Sequence, residues 1–320
     1  MRVRAVTSVV VASGFALALA CAGSLPGCSS NESSGETSSS SGGADGGSSG
    51  SSGTSGASGT SGASGTSGTS GSSGTSGASG TSGTSGGPQG ALTPGKTTRT
   101  IKAAGMDRSV IVVVPSTIAT AKLPLVIALH GNGDTNANFI AVTTTLAALA
   151  ESKGFVLAAP QGVTQTIMIQ GQTVSGVDWD PYRTAAGGNI DLPLLDAIRA
   201  ELVASGSIDT KKLVVFGYSQ GGYMSFRYGM DTAATLSCTG LIGAANPLGP
   251  QLTAGAARKI PVALQIGTAD GAITNARNTK ADLEAKTFPL DYHEIAGAGH
   301  VPVAGGVTVP LTYCLGQALP

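Results

Sequence analysis

Charge is scarce in this chain, and neither sign dominates. Asp, Glu, Lys and Arg make up 11% of the 320 residues, with 18 Lys+Arg against 18 Asp+Glu. No basic patch stands out, which argues against a nucleic-acid surface. Histidine is scarcer still, at three, and neither the histidines nor the four cysteines form a cluster with the other type. Without a His/Cys cluster at ligand spacing there is no metal site to expect, and no cofactor. Asp178 and Asp180 can be imagined around a Ca²⁺ ion, but a solvated loop is the simpler account. Aromatic residues are only 4% of the chain, partly because the first third is so poor in them. Proline is missing from the Gly-containing triplets of that third, which excludes a collagen-like triple helix.

What is present falls into three parts. Residues 1–28 read as an export signal: Arg2 and Arg4 precede an apolar stretch, 5–20, that ends in small residues. Losing those two arginines takes the basic count from 18 to 16 against 18 acids, a net charge of −2. The apolar run is slightly short for a membrane span and is followed by Gly, Pro and Cys. Leu25-Pro26-Gly27-Cys28 resembles a bacterial lipobox, which implies cleavage before Cys28 and a lipid on its thiol. Ordinary signal-peptidase cleavage is the alternative, and the two differ in detergent partitioning and palmitate labelling. Residues 29–90 are almost entirely Ser, Gly, Thr and Ala. With no apolar face to bury, they are expected to form a disordered linker. About 60 such residues reach roughly 40–45 Å. The expected location is therefore outside the cytoplasm, either on a bacterial cell envelope (outer membrane or cell surface) or extracellular.

Residues 91–320, about 230 in number, have the mixed composition of one folded domain. The segments 109–114, 124–130, 155–159, 212–217, 240–245, 262–267 and 290–295 read as strands, several of them continuous apolar runs that suit burial on both faces. Helices are expected over 138–153, 191–204, 220–230 and 276–286. This alternation predicts an α/β fold with a doubly wound, mainly parallel sheet. The stretch 161–189 has no clear period and reads as a long loop. It holds the single Trp, Trp179, which either lines a substrate cleft or caps the core beneath the loop.

The strongest local signal is Gly217-Tyr218-Ser219-Gln220-Gly221, which fits the G-x-S-x-G nucleophile elbow. An apolar strand precedes it and a helix follows, so the serine sits on a very tight turn flanked by glycines. A serine hydroxyl needs a base to take its proton. His300, in a loop just past the last expected strand, fits the chain order Ser, acid, His. His130 lies upstream of the elbow and His293 inside a strand. Asp270 follows the strand 262–267 and can orient the imidazole. Asp231, Asp282 and Asp291 are placed less well. Two backbone donors should hold a developing oxyanion. One is the N–H of Gln220; the other comes from the Gly-rich turn after Leu129, with Asn132 preferred over Gly131. His130 is expected to orient that turn. Tyr218, beside the nucleophile, is a candidate cleft residue with Trp179.

These motifs together resemble the α/β-hydrolase superfamily. They are Leu129-His130-Gly131, Gly217-Tyr218-Ser219-Gln220-Gly221-Gly222, Gly267-Thr268-Ala269-Asp270 and Gly299-His300. The set looks like the secreted polyhydroxybutyrate depolymerase and feruloyl esterase-like hydrolases. It is also similar to the phospholipase/carboxylesterase branch, where a Ser-Gln-Gly-Gly elbow is common. Asn189-Ile190-Asp191 and Ile208-Asp209 fit the same group, and the likeness spans roughly residues 97–300. It implies a serine esterase acting through an acyl-enzyme on Ser219, on an ester that is polymeric, derived from plant cell wall, or small. Many depolymerase-like members carry Trp-Pro soon after the catalytic His. Here Val301-Pro302 follows, which speaks against a polyester.

Cys238 and Cys314 remain in the domain. In an exported chain they can form a disulfide; two buried thiols are the alternative. Two rival functions share the fold. A serine peptidase would cleave amides faster than esters. A non-catalytic binding module would leave Ser219 unlabelled by a fluorophosphonate. Oligomeric state has no signature in the sequence.

Overall fold

The computed structural model describes residues 90–119, 121–169, 172–302 and 306–320. The expected signal segment 1–28, with Cys28, and linker residues 29–89 lie outside the described residues. None of the described helices is long and apolar enough to cross a membrane.

Among the described residues, eight strands form one sheet. In chain order they are β1 (Gly95–Ala103), β2 (Met106–Val114), β3 (Leu123–Leu129), β4 (Val156–Pro160), β7 (Ile208–Tyr218), β8 (Cys238–Ile242), β9 (Val262–Gly267) and β10 (Leu290–Ile295). The spatial order is β1-β2-β4-β3-β7-β8-β9-β10. β1 and β2 form an antiparallel hairpin, β2 pairs antiparallel with β4, and every later neighbour is parallel. β5 (Val163–Ile169) and β6 (Gln172–Asp178) make a separate antiparallel pair.

Side-chain alternation explains the two cores. On β3, Leu125, Ile127 and Leu129 join one cluster and Val126 and Ala128 the other. The first face is covered by α3 (Leu192–Ala204), α4 (Gln220–Asp231), α5 (Pro250–Ala254) and α6 (Ile273–Ala285). The second is covered by α2 (Leu146–Lys153) and α7 (Thr308–Leu315). A mostly parallel sheet buried on both faces by helices is the α/β-hydrolase fold that the motifs implied.

Several elements differ from the expectation. The helix expected over 138–153 is broken into α1 (Asn136–Asn138), a π turn (Phe139–Thr143) and α2. The β-branched run Val142-Thr143-Thr144-Thr145 explains the break. Thr144 turns its hydroxyl onto the Phe139 carbonyl at 2.6 Å, and Thr145 takes φ 55°. The loop expected over 161–189 contains the β5–β6 pair, in which alternation is imperfect and, among the residues whose burial is described, only Ile167 and Asp178 are buried. β1, the short α5 and α7 had no clear period. β1 is an edge strand exposed along most of its length, and α7 carries Pro310 inside it.

Candidate active site

Ser219 stands where β7 hands over to α4, with φ 52° and ψ −124°. That backbone is strained for a residue with a side chain. It is held because the Ser219 N–H donates to the Ile242 carbonyl at 2.9 Å and the Ser219 carbonyl accepts from Tyr223 N–H at 3.0 Å. The flanking glycines are required by space. A Cβ at Gly217 would lie 2.1 Å from the Gly221 carbonyl oxygen, and one at Gly221 would lie 2.3 Å from the Leu129 carbonyl oxygen.

The structure brings Ser219, His300 and Asp270 together. His300 Nε2 is 2.8 Å from Ser219 Oγ, and His300 Nδ1 is 2.8 Å from Asp270 Oδ2. Asp270 is buried and His300 is exposed. Burial by itself would raise the Asp270 carboxyl. The hydrogen bonds from His300 and from the Ala272 N–H (2.8 Å) outweigh it and hold the group below its ordinary value. An ionised Asp270 can only accept, so Nδ1 carries the proton and Nε2 faces the serine as acceptor. The loops that carry Asp270 and His300 are laced together. Ala269 N–H donates to the Ala298 carbonyl at 2.9 Å, and Gly297 N–H donates to Thr268 Oγ1 at 2.8 Å. Tyr218 is half-buried beside the pair. Its hydroxyl donates to the His300 carbonyl at 2.8 Å, and its ring centre is 5.3 Å from the imidazole. Burial pushes its phenol up, so it remains a neutral donor.

The other candidates are placed elsewhere. His293 pairs with Asp291 at 2.9 Å, Asp282 with Lys286 and Asp231 with Arg227. His130 is buried. Its Nε2 accepts from Gly162 N–H at 2.9 Å, which leaves Nδ1 to donate to the Gly131 carbonyl at 2.7 Å. Burial lowers its pKa, so it serves as a neutral strut for the turn.

That turn and the start of α4 present the two oxyanion candidates. Gln220 is the first residue of α4, so its N–H has no carbonyl one turn earlier to bond. Gly131 lies against Ser219, with a Cβ there falling 3.4 Å from Ser219 Cβ, and Asn132 is the next residue.

Trp179 requires a correction. It has no exposed surface and lines no cleft. Its Nε1 donates to the His130 carbonyl at 2.9 Å, and its ring packs 5.1 Å from the His130 ring with the Arg108 guanidinium 5.7 Å from its centre. It caps the core beneath the loop. Sequence reading also missed the buried Arg108–Asp191 pair, with two contacts of 3.1 Å. Asp191 further accepts from Gln165 Nε2 at 2.9 Å and Asp180 N–H at 3.0 Å, tying the β5–β6 hairpin down. Isolated charges inside a strand and at a helix start gave no hint of this. Asp178 and Asp180 are both occupied by protein donors. Among the described residues no group of three His, Cys, Asp or Glu is arranged to hold a metal.

The profile of a phospholipase/carboxylesterase family matches residues 111–300, which ends at His300. No curated protein matches the chain. Among solved structures, the chain is similar to a fluorophosphonate-binding serine hydrolase of Staphylococcus aureus, with a TM-score of 0.53 and 12% identity over 70% of this chain and 99% of that one. It is similar to a thermostable esterase at a TM-score of 0.53 and 18% identity, covering 70% of this chain and 63% of that one. A ferulic acid esterase follows at 0.52 and 14%, covering 69% and 96%. At these identities the likeness is one of fold.

Proposed function

The chain belongs to the phospholipase/carboxylesterase family, and from that premise we propose that it is an exported serine esterase acting through an acyl-enzyme on Ser219. The observation that carries this reading is the relay Ser219–His300–Asp270, with both links at 2.8 Å. As His300 Nε2 takes the hydroxyl proton, Ser219 Oγ attacks the ester carbonyl carbon. The oxyanion is received by the N–H of Gln220 and by that of Asn132 or Gly131. The tetrahedral centre collapses, the bond to the alcohol oxygen breaks, and His300 returns the proton to the leaving alcohol. Water repeats the sequence on the acyl-enzyme and releases the acid.

The substrate class is a carboxylic ester, of the feruloyl or acetyl kind ahead of a polyester, because Val301-Pro302 follows His300. Export rests on the signal-like segment 1–28, with Cys28 as the lipid-bearing residue and residues 29–90 as the tether. The disulfide between Cys238 and Cys314 suits an oxidising compartment. The test compares the full mature chain with Ser219→Ala and His300→Ala on p-nitrophenyl esters and matching anilides. Loss of roughly 10⁴- to 10⁶-fold in kcat is expected in both variants. Near wild-type turnover in either ends the reading, and faster anilide than ester cleavage replaces it with a peptidase.

A further inference from the structure

The two oxyanion candidates lie on different elements, the turn after β3 and the first residue of α4. Something must set their separation, and one short segment, residues 176–179 at the end of β6, touches both. Asn132 Nδ2 donates to Asp178 Oδ2 at 2.5 Å. On the residue after Asn132, Gly133 N–H donates to the Val177 carbonyl at 2.9 Å. On the residue before Gly131, the His130 carbonyl accepts from Trp179 Nε1 at 2.9 Å. The Asn132 amide also packs against Gly176, where a Cβ would come within 3.3 Å of Nδ2. On the other side, Gln220 Nε2 donates to the Trp179 carbonyl at 3.0 Å.

We propose that Asp178, with Asn132 as its partner, is the positioning residue of the oxyanion hole, and that residues 176–179 act as a strut fixing the distance between its two backbone donors. The proposal rests on the esterase reading of Ser219. It is carried by the convergence of the five contacts, three of which bracket Gly131 and Asn132 from consecutive residues of one strand end. The strut is itself fixed from within. The buried Asp178 spends its second oxygen on its neighbour, accepting from Trp179 N–H at 2.8 Å. Neither Asp178 nor the Asn132 side chain touches the reacting atoms; both act by holding the turn.

A positioning role predicts a particular kinetic pattern. Truncating either partner lets the turn drift, and displacement of a catalytic donor by about 1 Å costs on the order of 100-fold. Asp178→Ala and Asn132→Ala are therefore expected to lower kcat by about 10- to 100-fold on a p-nitrophenyl ester, with KM changing little. The double variant should lose no more than the worse single one, because both break the same link. Asp178→Asn should recover most of kcat, since an amide still accepts from Trp179 N–H and bonds a reoriented Asn132 amide. Asn132 is exposed, so Asn132→Ala leaves no buried gap. Together with Asp178→Asn it decides the question even if Asp178→Ala fails to fold. Full kcat in Asn132→Ala, multiplicative losses in the double variant, no rescue by Asp178→Asn, or an effect confined to KM would each overturn the strut. Ser219→Ala in the same assay separates the two claims. If it keeps turnover, the esterase reading falls; if it is inactive while Asn132→Ala is fully active, only the strut falls.

Discussion

Two buried carboxyls on the segments that meet around Ser219 are pushed in opposite directions. Asp270 is held below its ordinary value by the imidazole and a backbone N–H, despite its burial. Asp178 is pushed up to about 6, first by burial and then by Asp191 and Asp180, against the pull of Asn132 and Trp179 N–H. The consequences for stability have opposite signs. The Asp270 contribution is fully present above the unfolded carboxylate value of about 3.9 and fades as pH falls through its depressed folded value. Asp178 binds its proton more tightly in the folded state, so stability declines as pH rises from about 4 to about 6. Melting Asp178→Asn beside the wild type across pH checks this. Relative to wild type the variant should gain Tm steadily between pH 4 and 6, then hold level above. A constant offset across the whole range would show that Asp178 does not titrate in that window.

At the scale of elements, the site is made by chain ends that approach more closely than side chains permit. Gly267 closes β9 against the loop that carries His300; a Cβ there would fall 2.1 Å from the Ala298 carbonyl oxygen. Gly267→Ala must push that loop away, two residues before the imidazole. It should lower kcat by on the order of 100-fold and slow fluorophosphonate labelling of Ser219 in proportion, since both need the base. Gly271→Ala is the control, because nothing lies within 4 Å of a Cβ at that position. Equal activity in the two variants would mean that the loop yields without moving His300. This close packing also explains what was legible in the sequence. The strand at Val262–Gly267 and the elbow carry apolar runs and glycines whose local pattern is their structure, so Ser219, Asp270 and His300 stand out. The β5–β6 pair and the strut do not. The pair alternates poorly, and the strut depends on partners far along the chain, with Asn132 and Asp178 46 residues apart. Trp179 shows the same limit: its composition admits cleft or core, and only the position of His130 and Arg108 decides.

For the molecule as a whole, the last helix is fastened to the sheet by a covalent link. Cys238 opens β8, Cys314 lies in α7, and the disulfide between them spans a sequence separation of 76 residues. Both residues are fully buried in the core that α7 covers, so the bond pins the last helix over the second face of the sheet. Restricting an unfolded loop of that length is worth about 4 kcal/mol in the chain-entropy account. For a domain of about 230 residues this corresponds to a Tm lower by roughly 10 °C when the bond is removed. Activity at 25 °C should be spared. Ser219 meets β8 at its other end, through Ile242, and four residue steps along the strand put that point about 13 Å from Cys238. Replacing both cysteines by serine in the mature chain, and melting it beside wild type with and without reductant, measures the effect. Wild type in reductant should melt like the variant, while ester turnover at 25 °C remains within about twofold of wild type, as expected for a change remote from the reacting groups. An unchanged Tm would mean that the link adds nothing to the packing of α7, and a loss of turnover in the folded variant would mean that α7 reaches the site through β8.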